Sequence, residues 1–300
     1  PWYRYQFPGG ETFDYGGSLE DTLREIEKFE PRDADGYKRL VDMSERIFDK
    51  GFTELSDVPF HRFGAMLKTV PALLRLKSYR TVSQMVAKYI KNDRLRQAFC
   101  IHPLLVGGNP YDTTSIYSLI HFLERKWGIH FPMGGTGAIV DALARLMAEE
   151  GITFRGGATV GEVSIKEGVA DGVRLVGGER LDADVVVVNG DAPFLYKNMV
   201  PAPARRRWTD RRIDKLKYSM GLFVLYFGTS RKYEDVPHHT IVLGPRFKGL
   251  LDDIFHRQRV TEDMSVYLHR PTATDPSMAP EGKDSFYALV PVPNLDADVD

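Results

Sequence analysis

FPMGGTGAIVDALARLMAEEGITFRGGATVGEVSIKEGVADGVRLVGGERLDADVVVVNGD, residues 131–191, carries in order a glycine-rich turn, a helix, a short strand, two hairpins and an apolar strand with a polar exit. The turn is Gly134-Gly135-Thr136-Gly137, and the helix after it sets Ile139, Val140, Leu143, Leu146 and Met147 on one stripe at the 3.6-residue period. Gly151 stops that helix, because glycine accepts the positive φ found just past a helix C-terminus. Ile152 and Phe154 then read as a short strand. Val160, Val163 and Ile165 continue in extended form, Glu167-Gly168 offers a turn, Val169 to Leu175 returns antiparallel, and Gly177-Gly178 closes a second hairpin. Ala183 to Val188 follows. Its four successive valines do not alternate, so both faces are expected to be covered, as at the centre of a parallel sheet between helices. The polar exit Asn189-Gly190-Asp191 would then lie at the carboxyl edge of the sheet, where such folds bind ligands. The order predicts an α/β fold containing the second half of a Rossmann-like dinucleotide-binding domain. Taken alone, Gly134 to Gly137 also fits an ordinary loop before a helix, and the full G-x-G-x-x-G fingerprint occurs nowhere in the chain.

Outward from this core the pattern changes. Residues 1–17 read as a hairpin, with Trp2, Tyr3 and Tyr5, the turn Phe7-Pro8-Gly9-Gly10, then Thr12, Phe13 and Tyr15. Residues 18–127 are mostly helical: Ser18 to Asp21 reads as a capped start, Leu19, Leu23, Ile26 and Phe29 as an inner face, Pro31 as a stop, and Tyr37 to Phe48 as a second helix. Residues 128–200 hold the nucleotide-binding portion. Residues 201–300 return to strands near 222–227, 240–243, 265–268 and 286–292, which with the first hairpin would make a second, mixed sheet of an α+β substrate region.

The chain has 300 residues, 43% of them hydrophobic and 27% charged, enough to bury a substantial core in two or three domains. Forty basic against forty-one acidic side chains leave a net charge of -1, so no global field favours nucleic acid. Cys100 is the only cysteine, which excludes an internal disulfide and any cysteine-rich metal site, and redox chemistry therefore needs a cofactor. No apolar run approaches the ~18 residues that span a bilayer. Pro1 to Phe7 does not resemble a signal peptide, and the sequence reads as a fragment.

One charge imbalance is local. From Val58 to Asn92 no residue is acidic, while Arg62, Lys68, Arg75, Lys77, Arg80, Lys88 and Lys91 are interleaved with apolar side chains that include Leu73, Leu74 and Leu76. Such a stretch suits an anionic membrane surface, and equally a solvated helix face or a nucleic-acid patch.

Several segments together resemble the carotenoid desaturases of the bacterial phytoene desaturase type, flavoproteins related to the amine oxidases. They are Phe29-Glu30-Pro31-Arg32-Asp33, Leu95 to Phe99, Leu104 to Pro110 with Ser115 to Tyr117, Phe131-Pro132, Gly134 to Gly137, Val185 to Asp191, Phe223 to Gly228, His238-His239-Thr240 and Ala279 to Gly282. The resemblance implies an FAD-binding domain, a substrate domain and a helical membrane-facing insertion, in an enzyme that oxidises CH–CH groups of phytoene or a similar acyclic carotenoid. It implies that Val160 meets the FAD adenine and that Asn189, Gly190 and Asp191 border the cofactor. The family's N-terminal fingerprint and C-terminal flavin segment are absent from these residues, so the fragment alone is not expected to hold FAD. Flavin-driven desaturation explains why neither a catalytic triad nor a carboxylate pair is evident, since the protein mainly positions a hydrocarbon and excludes water. His238 and His239 are the polar candidates, against a purely structural role for both. The family commonly has an acidic residue and an arginine where this chain has Ala65 and Lys68, which argues against an acid–base role there.

A hydrocarbon of about forty carbons, at roughly 0.8 kcal/mol per buried methylene, costs on the order of tens of kcal/mol to bring into water. The expected partners are therefore the polyene and a membrane surface, with a cytoplasmic, peripheral location and an oligomeric state that the sequence leaves open. The same resemblance admits an isomerase, an oxidase or a saturase, and a lipid-binding relative without catalysis is the reading from another class.

Overall fold

A computed structural model describes residues 1–58 and 63–297. It divides into two compact units, one of residues Pro1–Ile139 with Ser219–Asp300, the other of Val140–Tyr218. The second unit therefore begins later and ends later than the segment 128–200 expected from sequence.

The first unit is built on a six-stranded mixed sheet in the order β2-β1-β7-β8-β9-β6. Its strands are β1 (Tyr3–Gln6), β2 (Thr12–Tyr15), β6 (Gly221–Thr229), β7 (His239–Val242), β8 (Val266–His269) and β9 (Asp284–Val292). The first hairpin and the four late strands thus join one sheet, as their alternation predicts, with β1 parallel to β7 and the other pairs antiparallel. Period-2 alternation puts Tyr3 and Tyr5 of β1, His239 and Ile241 of β7, Tyr267 and His269 of β8, and Tyr287 and Leu289 of β9 on one face, since these residues are direct or next-row register partners. The edge strand β6 leaves Leu222, Phe223, Leu225 and Tyr226 exposed.

Helices α1 (Leu19–Glu27), α2 (Pro31–Phe48), α3 (Phe63–Arg75), α4 (Val82–Tyr89), α5 (Asp93–Phe99) and α6 (Leu119–Trp127) form the helical region. A capping box between Ser18 and Asp21 starts α1 as expected. Pro31 corrects its expectation: it opens α2 rather than ending α1, because proline is tolerated at the first helical position, where its missing N–H costs nothing, and Glu30 caps the Arg32 amide. The hairpin and helices meet in an aromatic core of Tyr5, Phe13, Tyr15, Tyr37 and Phe99, with Tyr37 and Phe99 stacked at 4.9 Å.

Asp33, 1% exposed, ties two helical layers together: its carboxylate accepts from the amides of Lys91 at 2.8 Å and Asn92 at 2.8 Å, at the junction of α4 and α5. Removing it leaves the partly buried Lys91 and Asn92 amides without their partner and a cavity at a buried site, so Asp33→Ala is expected to cost about 2 kcal/mol of stability. A fall in the melting midpoint checks this; Asp33→Asn, which keeps one acceptor, loses less, and an unchanged midpoint in Asp33→Ala contradicts it.

Helix α7 (Thr136–Glu149) forms where its apolar stripe and Gly151 predict. In the second unit, β3 (Val160–Lys166), β4 (Val169–Leu175) and β5 (Arg180–Asp182) make an antiparallel sheet whose first turn holds Glu167 at φ 53 and Gly168 at φ 83, the twist of a tight hairpin. The short helices α8 (Ala192–Phe194) and α9 (Asp210–Ile213) follow, and α10 (Phe247–Phe255) belongs to the first unit. Two expectations fail here. Ile152 and Phe154 form no strand, and the valine run is not a buried central strand: Val185 is 75% and Val187 85% exposed, and neither pairs with another strand among the described residues. The apolar stripe of α7 is exposed as well, at Ile139, Val140, Leu143 and Leu146. A strand needs a neighbour to take its amides and a layer to cover its side chains, and the described residues offer this run neither.

Candidate active site

The sheet face that carries Tyr3, His239, Tyr267 and Tyr287 forms one wall of an apolar cavity of about 390 Å³, closed by Leu104, Ile129, Phe131, Phe247, Leu250 and Leu251 from the surrounding helices and loops. The volume lies within the range of small-molecule sites. Helix α10 faces it because Phe247, Leu250, Leu251 and Ile254 recur at helical spacing and bury their side chains.

At the polar end of that wall three histidines converge. His239 Nδ1 lies 2.6 Å from the Tyr267 hydroxyl, which in turn is 3.2 Å from His269 Nδ1, and the two imidazole nitrogens are 3.4 Å apart. His238 stands beside both, with ring centroids 4.3 Å from His239 and 4.6 Å from His269. Its Nδ1 is 2.5 Å from Thr274 Oγ1, and its Nε2 is buried without a hydrogen-bond partner. Burial, reinforced by His238 and His269, pulls the His239 imidazole down to about 3; burial and His238 bring His269 to about 4; burial and the Arg270 charge lower His238. All three are therefore neutral at physiological pH and keep a lone pair. Burial also raises the Tyr3 and Tyr267 phenols, which stay protonated.

A second polar cluster lies behind Tyr3. The Tyr3 hydroxyl donates to Glu124 Oε1 at 3.3 Å, and Glu124 Oε2 is 3.1 Å from His102 Nε2, with His121 packed edge-on against His102 at 4.3 Å.

The sequence-derived residues fall in several places. Gly134 and Gly135 are left-handed, at φ 85 and φ 80, immediately before α7, and the Gly134 amide donates to Asp275 Oδ2 at 2.6 Å. Val160 heads β3 opposite Leu175 and is half-buried. Asn189, Gly190 and Asp191 are exposed, and Asp191 caps α8 through the Phe194 amide at 2.7 Å. In the basic stretch, Arg62 lies outside the described residues. Lys68 and Arg75 are exposed on α3, Lys77 and Arg80 are partly so, and Leu74 is 58% exposed. Leu73 and Leu76 turn inward to line an apolar cavity of about 370 Å³ beneath α3, with Thr69, Val70 and Ile116. The outward apolar row is instead Leu67, Val70 and Leu74, at the i, i+3, i+7 spacing of a helix face, with Val70 at the rim of that cavity.

The family model for flavin containing amine oxidoreductase matches residues 1–294 of the chain. The chain belongs to that family. The chain is 43% identical over 301 residues to a lycopene-forming phytoene desaturase of Paracoccus sp., covering 100% of this chain and 60% of that protein. It is 41% identical to a neurosporene-forming phytoene desaturase of Cereibacter sphaeroides, covering 98% of this chain and 58% of that protein, and 35% identical to a zeta-carotene-forming one of Myxococcus xanthus, covering 100% and 58%. Among solved structures, the PF1083 protein from Pyrococcus furiosus superposes with a TM-score of 0.60 at 17% identity, over 98% of this chain and 59% of that one. The chain thus spans about three fifths of the length of these relatives.

Flavin is the cofactor that membership implies, and parts of this chain suit it. Two left-handed glycines lead into the N-terminus of a 14-residue helix whose first turn is open at Gly137, although Asp275 holds the Gly134 amide and Met278 packs against Gly135. Asn189 to Asp191 offer exposed polar groups.

Proposed function

We infer that the protein to which this chain belongs is an FAD-dependent desaturase that converts phytoene or a similar acyclic polyene to a more conjugated product at a membrane surface. The observation that carries the reading is the apolar cavity in the first unit, whose polar lining is limited to Tyr3, His130, His239, Ser265, Tyr267 and Tyr287. A hydrocarbon offers no atom to bind by hydrogen bonds, so its site must be apolar and must be positioned by shape. The identities of 35% to 43% to phytoene desaturases with three different products support the reaction class and leave the number of steps open.

Val160, Asn189, Gly190, Asp191, Gly134 and Gly135 are proposed to border FAD, which supplies a two-electron acceptor for hydride when bound. The exposed valine run and the exposed stripe of α7 are proposed to be covered by protein outside this chain, since the relatives are longer. Leu67, Val70 and Leu74 are proposed to dip below the lipid headgroups while Lys68, Arg75, Lys77 and Arg80 meet anionic phosphates. No helix among the described residues is long and apolar enough to cross a membrane, so attachment is proposed to be peripheral.

Incubating the full-length protein with FAD and phytoene in liposomes tests the reading. New long-wavelength polyene absorbance is the expected result. Its absence, with flavin bound, would leave an isomerase or a lipid-binding relative as the better account.

A further inference from the structure

Two cavities meet at His239, which lines both. One is the apolar cavity of about 390 Å³, and the other a smaller one of about 130 Å³, lined in part by His238 and Thr274. Ile129, His130 and Phe131 line both as well. At roughly 30 Å³ per water molecule, the smaller cavity has room for about four.

Desaturation removes a hydride and a proton from adjacent carbons, and the proton must leave an apolar site in which a stranded charge is costly. We propose that His239 is the group that takes this proton, and that Tyr267, His269 and His238 pass it through the wall into the smaller cavity. The inference rests on the desaturase reading above. In the tautomer that donates Nδ1–H to the Tyr267 oxygen, the His239 lone pair is on Nε2. As the substrate C–H bond breaks, its electron pair becomes the new C=C bond, the hydride from the neighbouring carbon carries two electrons to the flavin, and the proton goes to Nε2. His239 then releases its Nδ1 proton to Tyr267, whose hydroxyl hands its own to His269 Nδ1 3.2 Å away. His269 and His238 have ring nitrogens within 4.8 Å of one another without a direct hydrogen bond, so the proton crosses from His269 to His238 through a bridging water or an imidazole rotation. The buried, unpartnered Nε2 of His238 is the acceptor, and its Nδ1, 2.5 Å from Thr274 Oγ1, opens on the smaller cavity. Each imidazole returns to neutral after the transfer, so no cation is left beside the hydrocarbon.

The titratable and charged groups around His239 are Tyr3 on β1, His238 on its own strand's approach, Tyr267 and His269 on β8, Tyr287 on β9, His130 in the shared wall, and Arg270 beside His238. None is a carboxylate that would hold the proton in place.

The experiment compares wild-type and His239→Ala full-length enzyme with phytoene in liposomes, with and without added imidazole. His239→Ala is expected to lose about 100-fold in kcat with KM little changed, and imidazole is expected to restore part of the loss, because general-base contributions run at roughly 10²–10⁴. His269→Gln and His238→Gln are expected to keep the first turnover and slow the following ones. Full activity in His239→Ala, or a loss that imidazole does not relieve, overturns the inference while leaving the desaturase reading intact. A wild-type enzyme that makes no polyene removes both. One equivalent of tightly held zinc on the three histidines also overturns it, since a metal would occupy the lone pairs.

Discussion

Leu289→Asp is expected to lower kcat/KM for phytoene by about 100-fold or more while flavin content stays at the wild-type level. Leu289 sits on β9 between Val224 and Tyr267 and lines the apolar cavity. In the free protein it is only partly buried, so an aspartate there remains hydrated and the sheet keeps its pairing. When a hydrocarbon fills the cavity the carboxylate loses that water, and stripping a polar group of its partners costs about 3 kcal/mol or more, which is roughly 100-fold at 1.4 kcal/mol per factor of ten. Leu289→Met, close in volume and equally apolar, is expected to stay within a few-fold of wild type. Steady-state kinetics on the two variants check this, and an aspartate variant as active as the methionine one would place the hydrocarbon elsewhere.

The second large effect concerns the membrane. Changing Lys68, Arg75, Lys77 and Arg80 to glutamine together is expected to weaken binding to anionic vesicles by about 10³-fold, from roughly 1 kcal/mol per cation near the lipid surface. On neutral vesicles the variant should bind like wild type, and turnover of detergent-dispersed substrate should persist, because none of the four side chains lines the cavity that holds His239. Sedimentation with vesicles of graded phosphatidylserine content reads the difference. Equal binding of the two proteins on the most anionic vesicles would show that the basic face of α3 and the loop after it meets only solvent.

Much of the first unit was legible because its strands alternate and are punctuated by Pro and Gly: Tyr3 and Tyr5, His239 and Ile241, and Tyr287 and Leu289 each mark the inner face with a period of two. The hairpin at Glu167-Gly168 was equally local, being fixed by one turn. Pro31 misled because a proline that cannot continue one helix can begin the next, and only the Glu30 cap tells the two apart. The spacing of Phe247, Leu250, Leu251 and Ile254 is a helix signal short enough to be masked by its strand-like neighbours. The valine run was a different matter. Its composition encodes burial on both faces, yet burial is a property of what lies beside a segment, and among the described residues nothing pairs with it.

The candidate site was half legible. His238 and His239 stood out as an adjacent pair in a segment that carries the family resemblance, but His269, Tyr267 and Tyr287 join them only through strand register. Residues about 30 positions apart meet when β7 pairs with β8, and no local motif announces it. The tripled histidines, their loss of charge through burial, and the meeting of two cavities at His239 are properties of the assembled sheet. In the same way, the inward turn of Leu73 and Leu76 against the outward row of Leu67, Val70 and Leu74 depends on which side of α3 meets the core.

An anaerobic single turnover tests the central claim most directly. Oxidised full-length flavoprotein is mixed with phytoene-bearing liposomes, and flavin bleaching is followed together with polyene absorbance. The account predicts that the two changes occur in step, one new double bond for each flavin reduced. Polyene formed without flavin bleaching, or a flavin that stays oxidised beside bound phytoene, would contradict it.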